Sequence, residues 1–175
     1  AILMVGAIPK IVDVDYNTMN ITPSIIRKNI SKKTKAIMVV HQFGSPCDME
    51  EINKIAKNFK LRVIEDAACA LGSKYNNGKF VGNSSNLSCF SLHPRKIITT
   101  GEGGFISSND NKYEDRIRIL LNHGHRKNTK DDFFEEMGFN YRISDIQSAI
   151  AINQIEDLKS SIRYRSKIAN IYRNE

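Results

Sequence analysis

Two residues able to do chemistry stand out by type and position. Asp66 closes the run Leu61-Arg62-Val63-Ile64-Glu65-Asp66, and Lys96 sits in Ser91-Leu92-His93-Pro94-Arg95-Lys96-Ile97-Ile98-Thr99-Thr100-Gly101-Glu102-Gly103-Gly104. A lysine that follows a strand among Ser, Thr and Gly residues can act as a covalent amine or as a phosphate binder. A nucleotide-binding P-loop needs its glycines before the lysine, whereas here they come after it, which argues against an NTPase. A carboxylate at the C-terminal end of a buried strand lies where open α/β sheets place their ligands. Taken singly, each residue also has a plainer reading, as a solvated surface charge for Lys96 and as a helix cap or turn residue for Asp66.

The elements that must position these residues alternate. Lys10–Val14 reads as a short strand, and Ala1–Gly6 as part of another. Thr22 and Pro23 form a helix start, with Thr22 as cap and Pro23 at the first helical position. Lys35–Val40 is a continuous apolar run, which predicts a strand buried on both faces. Asp48 with Glu51 predicts a capping-box-like helix start, followed by Ile52, Ile55, Ala56 and Phe59 at helical spacing. Further strands are expected at Leu61–Ile64, Leu87–Ser91 and Gly103–Ser108, and a helix over Tyr113–Asn122. Residues 123–137 are polar and aperiodic and read as a long loop. Ser144 and Gln147 then have the spacing of a capping box, ahead of Ile146, Ile150, Ile155 and Leu158. A basic amphipathic helix is expected over Ile162–Tyr172. This alternation predicts an α/β fold of three layers, a mostly parallel sheet flanked by helices.

Composition narrows the class. The chain has 175 residues, 41% hydrophobic and 26% charged, with a net charge of +7. Those proportions fit a soluble globular domain. The basic residues interleave with acids rather than forming a tract, so a nucleic-acid partner is not expected. No apolar run reaches the roughly 20 residues needed to cross a bilayer. Nor do the first residues have the pattern of a signal peptide. Cys47, Cys69 and Cys89 match no metal spacing and are expected to be reduced thiols of a cytoplasmic protein.

The long strings decide between the readings of Asp66 and Lys96. Glu65-Asp66-Ala67-Ala68-Cys69-Ala70-Leu71-Gly72, followed by Phe90-Ser91-Leu92-His93-Pro94-Arg95-Lys96 and Thr99-Thr100-Gly101-Glu102-Gly103-Gly104, resembles the signature of the DegT/DnrJ/EryC1/StrS aminotransferases. Flanking segments resemble the family in the same order. They are Val5–Pro9, Val12–Asp15, His41–Pro46 with Asp48-Met49, and Gly138-Phe139-Asn140-Tyr141-Arg142 through Ala149.

The resemblance implies pyridoxal 5'-phosphate (PLP), held as a Schiff base by Lys96, which would also move the substrate proton. It implies that Asp66 pairs with the pyridinium nitrogen, that Ser91 donates to the phosphate, and that Asn140 reaches the phosphate of a neighbouring subunit in a homodimer. Cys69 stands where many relatives carry Gln or His beside the ring, and a thiol is a poorer hydrogen-bond donor. His93 and Glu102 belong to the motif without an assigned task. Gly101, Gly103 and Gly104 would permit a tight turn.

The activity implied is transfer of an amino group, with glutamate as the expected donor, to a nucleotide-linked keto-sugar in amino-sugar and polysaccharide biosynthesis. Relatives that use PLP for sugar dehydration replace the lysine with His, so Lys96 favours transamination. A noncatalytic PLP-fold regulator or an inactive truncated fragment is the alternative. By resemblance, residues 1–158 are the central part of the PLP-binding large domain, and 159–175 begin the helix leading to a C-terminal domain. The segment alone is expected to bind PLP weakly or not at all.

Overall fold

A computed structural model of the chain describes residues 1–126 and 133–174. Among these residues four strands form one sheet: β1 (Ala36–Val40), β2 (Arg62–Asp66), β3 (Leu87–Ser91) and β4 (Gly104–Ser107). Their order in space is β1-β2-β3-β4. The first three run parallel, with Val40 opposite Asp66 and Asp66 opposite Cys89. β4 pairs antiparallel to β3, placing Gly104 beside Ser91. Parallel pairing brings Val40, Asp66 and the end of β3 to one edge, and the β3–β4 connection returns across that same edge.

Among the described residues five α-helices accompany the sheet: α1 (Pro23–Asn29), α2 (Met49–Asn58), α3 (Asn111–Leu121), α4 (Asp145–Glu156) and α5 (Leu158–Asn174). Their starts follow local chemistry. The Thr22 hydroxyl accepts from the Ile25 N–H, and Pro23 occupies the first turn of α1. Ser144 and Gln147 form the reciprocal capping box at α4. At α2 only half of the expected device forms. Asp48 accepts from the Glu51 N–H, while the Glu51 carboxylate turns outward to Lys54 and Arg27.

The core lies between α1, α2 and one face of the sheet. Ile37, Val39 and Val63 from the strands meet Ile26, Ile52, Ile55 and Ala56 from the helices, all buried. Each of these Ile and Val side chains contributes roughly 1.5–3 kcal/mol by leaving water.

Four further expectations need correction. β1 is buried on one face only: Ile37 and Val39 point into the core, whereas Met38 and Val40 are each 42% exposed. Its unbroken apolar run therefore belongs to an alternating strand. Lys10–Val14 forms no strand, because among the described residues nothing pairs with it, and a strand without a ladder leaves its backbone unsatisfied. The turn after it is instead fixed by Asp15, whose side chain accepts from the backbone N–H groups of Asn17 and Thr18 and from the Thr18 hydroxyl. Leu3–Val5 makes a single 3-10 turn rather than a strand, closed by Gly6 in the left-handed conformation. Leu158, expected on the helix that Ser144 caps, instead begins the next one, because α4 ends at Glu156 and α5 starts at Leu158.

The long loop keeps partial order at its flanks, where Asn122 bridges Asn140 and His125 bridges Phe134. Its centre, 127–132, lies outside the described residues.

Candidate functional site

The site is assembled at the C-terminal edge of the parallel strands. Asp66 ends β2 and is half-buried. Its Oδ1 accepts from the Ala68 N–H at 3.1 Å, which turns the chain sharply after the strand. Among the described residues no hydrogen bond reaches its other carboxylate oxygen. Ser91 ends β3, and its Oγ accepts from the His93 N–H at 3.2 Å. Its own hydroxyl hydrogen has no acceptor among the described residues. Alternation along a strand and the register of Asp66 with Cys89 put Asp66, Cys89 and Ser91 on one face of the sheet.

Lys96 follows on a turn in which its N–H donates to the His93 carbonyl at 2.9 Å. Lys96 is half-buried as a residue and its amine lies 3.2 Å from the Cys69 Sγ, so the loop after β3 meets the turn after β2. Asp66, Cys69, Ser91 and Lys96 are thus gathered at one edge of the sheet. Among the described residues no hydrogen bond joins Asn140 to them. It is exposed, and its Oδ1 accepts from Arg142 Nε at 2.9 Å.

The Lys96 loop is held along its length. Leu92 donates to the Gly103 carbonyl, and Thr100 returns a bond to the Leu92 carbonyl. Gln154 of α4 grips Thr99 from both sides: its Oε1 accepts from the Thr99 N–H at 3.0 Å, and its Nε2 donates to the Thr99 carbonyl at 2.6 Å. Two turns of helix further back, Gln147 Nε2 donates to the Glu102 carbonyl at 2.7 Å. Glycine is required where this loop closes. Gly103 has φ +147°, and a Cβ on Gly104 would stand 2.6 Å from the Phe90 carbonyl oxygen. The His93 ring and the Glu102 carboxylate face one another at 3.9 Å across this turn.

Beneath the edge lies a buried polar network in which the sequence signalled no role for any residue. Glu65 points away from Asp66, into the core. His41 donates from Nε2 to Glu65 Oε2 at 2.6 Å, while its Nδ1 accepts from the Cys47 N–H at 3.1 Å, which fixes the imidazole tautomer. The Tyr75 hydroxyl donates to the same carboxylate oxygen. Ser88 Oγ and the Ser85 N–H donate to Glu65 Oε1 at 3.0 and 3.1 Å. Burial pushes the Glu65 carboxyl upward, but the hydrogen bonds from His41, Ser85 and Tyr75 outweigh it and hold the group below the usual carboxylate range. Burial first, and then the Glu65 carboxylate, push the Tyr75 phenol up. The available signal was an acid at an inward strand position, between Val63 and Ala67, which demands buried donors.

Cys47 and Cys89 differ from Cys69. Burial, with Glu65 next, pushes the Cys47 thiol up to about 12, and Cys47 donates to the Val40 carbonyl. The Cys89 thiol is raised by burial and then by the Asp66 charge.

Known proteins share both the sequence and the shape. A GDP-perosamine synthase of Escherichia coli is 44% identical over 176 residues, covering 99% of this chain and 47% of that protein. A sugar aminotransferase of Micromonospora echinospora superposes with a TM-score of 0.91 at 30% identity, over 99% of this chain and 49% of its own. A Streptococcus pneumoniae protein whose structure was determined in a PLP form gives 0.88 at 25% identity, over 99% and 49%. The chain spans about half the length of the proteins it matches. Over residues 1–175 it matches the pattern of one family throughout, and the chain belongs to the DegT/DnrJ/EryC1/StrS aminotransferase family.

Proposed function

We propose that this chain supplies the cofactor-holding part of a PLP-dependent aminotransferase that moves an amino group, with glutamate as donor, onto a nucleotide-linked keto-sugar. The observation that carries the reading is the meeting of three complementary groups at one sheet edge: the Lys96 amine, the Asp66 carboxylate and the Ser91 hydroxyl. They suit the groups PLP presents. An amine takes the aldehyde, a carboxylate takes the ring N–H on the oxygen that is unengaged among the described residues, and a hydroxyl donates its hydrogen to a phosphate oxygen. When bound, the cofactor supplies an electron sink for substrate carbanions.

The protein's residues do the remainder. Asp66 would keep the ring nitrogen protonated and fix its direction. Ser91, whose oxygen is already oriented by the His93 N–H, would anchor the phosphate. Lys96 would take up and return the substrate proton once the amino donor has replaced it. The Gln154 and Gln147 contacts would restrict where that amine can travel. Cys69 would line the ring's side without a strong polar role. Asn140, exposed and joined to the other four by no hydrogen bond among the described residues, is suited to reach the phosphate in a second subunit of a homodimer. Residues 1–158 would then form the central part of the large domain, with 159–175 leading toward a C-terminal domain. Three free cysteines support a reducing compartment such as the cytoplasm. Among the described residues no helix is long and apolar enough to cross a membrane.

The full-length protein, given PLP, glutamate and a nucleotide-linked keto-sugar, should release 2-oxoglutarate in step with formation of the amino-sugar. Release without the sugar, or none with any such sugar, would refute the reading. Mixing full-length Lys96→Ala and Asn140→Ala subunits should restore part of the activity if the site is shared across a dimer. Hybrids with no activity would count against that arrangement.

A further inference from the structure

Lys96 and Cys69 together form a second chemical unit. Their Nζ and Sγ atoms are 3.2 Å apart, within the separation of about 3–3.5 Å from which bond formation proceeds. Neither partner hangs on a free loop. Cys69 lies inside the turn closed by the Ala70 N–H on the Ala67 carbonyl, and Lys96 inside the turn closed on His93. Cys69 is exposed, so a small oxidant can reach it. The other two thiols are poor targets: Cys47 is buried, and both are pushed up by burial, which reduces the thiolate that oxidants attack.

We propose that Cys69 and Lys96 form a reversible sulfur–nitrogen bond under peroxide, a sulfenamide that withdraws the Lys96 amine from any aldehyde. The steps balance. Cys69 thiolate attacks hydrogen peroxide and becomes a sulfenic acid. Sulfur is oxidised by two electrons, the O–O bond breaks, and the departing hydroxide takes up the proton that the Cys69 thiol released on ionising and leaves as water. The neutral Lys96 amine then attacks the sulfenic sulfur. The new S–N bond replaces the S–O bond, and the hydroxyl departs as water with one amine proton. The net change in the protein is the loss of two hydrogen atoms. A low-molecular-weight thiol reverses it by attacking sulfur, expelling the amine and leaving a mixed disulfide that a second thiol reduces. The bond itself rests on the 3.2 Å contact. Its consequence for the cofactor rests on the reading of Lys96 given above.

The test uses full-length protein freed of PLP, treated with dilute hydrogen peroxide, digested and analysed by mass spectrometry. The expected result is a linked pair of peptides containing Cys69 and Lys96, lighter than their sum by two hydrogens, lost on addition of dithiothreitol and lost in Cys69→Ser. In Lys96→Arg, Cys69 should instead proceed to sulfinic acid. Sulfinic or sulfonic Cys69 in the unsubstituted protein, with Lys96 unlinked, would overturn the proposal.

A separate arm adds PLP to the linked protein. Failure to develop visible absorbance until dithiothreitol is added supports both the bond and the cofactor role of Lys96. Normal development on a protein proven to be linked would leave the bond standing and refute the cofactor role alone.

Discussion

Glu65 and Asp66, neighbours on β2, face opposite sides of the sheet. Glu65 is fully buried and takes hydrogen bonds from His41, Tyr75, Ser85 and Ser88, whereas Asp66 faces the open site edge with one carboxylate oxygen that no hydrogen bond reaches among the described residues. The period of two in a strand lets adjacent acids do unlike work, one anchoring the strand end and the other presented to a ligand.

Removing the anchor should be costly. Glu65→Ala leaves three buried donor side chains without their acceptor and is expected to destabilise the protein by about 3–5 kcal/mol. Denaturant midpoints compared at constant m-value measure it. A loss under 1 kcal/mol would mean that the network contributes little.

Acid should dissolve the same anchor. Glu65 is held below its unfolded value, so as pH falls the unfolded chain binds the proton first. The contribution is complete above about pH 4.3 and is lost as pH falls through the lower folded value. The stability gap between the unsubstituted protein and Glu65→Gln should therefore be constant near neutrality and shrink below about pH 4. A gap that widened in acid would contradict the assigned direction.

These two residues also mark what the sequence discloses. Asp66 was legible because a strand-end acid and a lysine motif thirty positions later are local strings. Glu65 was in the same string, yet its partners come from Tyr75, Ser88 and His41, and their convergence depends on strand pairing. The caps at Thr22, Asp48 and Ser144 were legible for the same reason as Asp66: each is settled within four residues. The absence of a strand at Lys10–Val14 was not legible, since composition fixes a segment's preference but not whether a pairing partner is available. The Gln154 grip on Thr99 spans 55 positions and leaves no mark on either local pattern.

Gln154→Ala should loosen the Lys96 loop more than the fold. Two hydrogen bonds to Thr99 are lost, each worth about 0.5–1.5 kcal/mol, so stability should fall by about 1–3 kcal/mol. PLP retention should fall as well, read by equilibrium dialysis at a temperature where the variant remains folded. Unchanged retention would show that α4 does not position the loop.

Gly104→Ala tests the close approach of β4 to the end of β3. Its Cβ would stand 2.6 Å from the Phe90 carbonyl oxygen, a clash that only backbone movement relieves. A loss of about 1–3 kcal/mol is expected, together with weaker PLP binding, because Gly104 pairs with Ser91. Calorimetry and a PLP titration check the two effects.

The central claim is that one amine, on the loop that α4 clasps, takes the cofactor's aldehyde. Full-length protein titrated with PLP should develop a visible absorption band that borohydride fixes irreversibly, with the added mass on the peptide containing Lys96. Lys96→Ala should lack the band while keeping the circular dichroism of the unsubstituted protein. A band of equal strength in Lys96→Ala, or cofactor mass fixed on another lysine, would contradict the account.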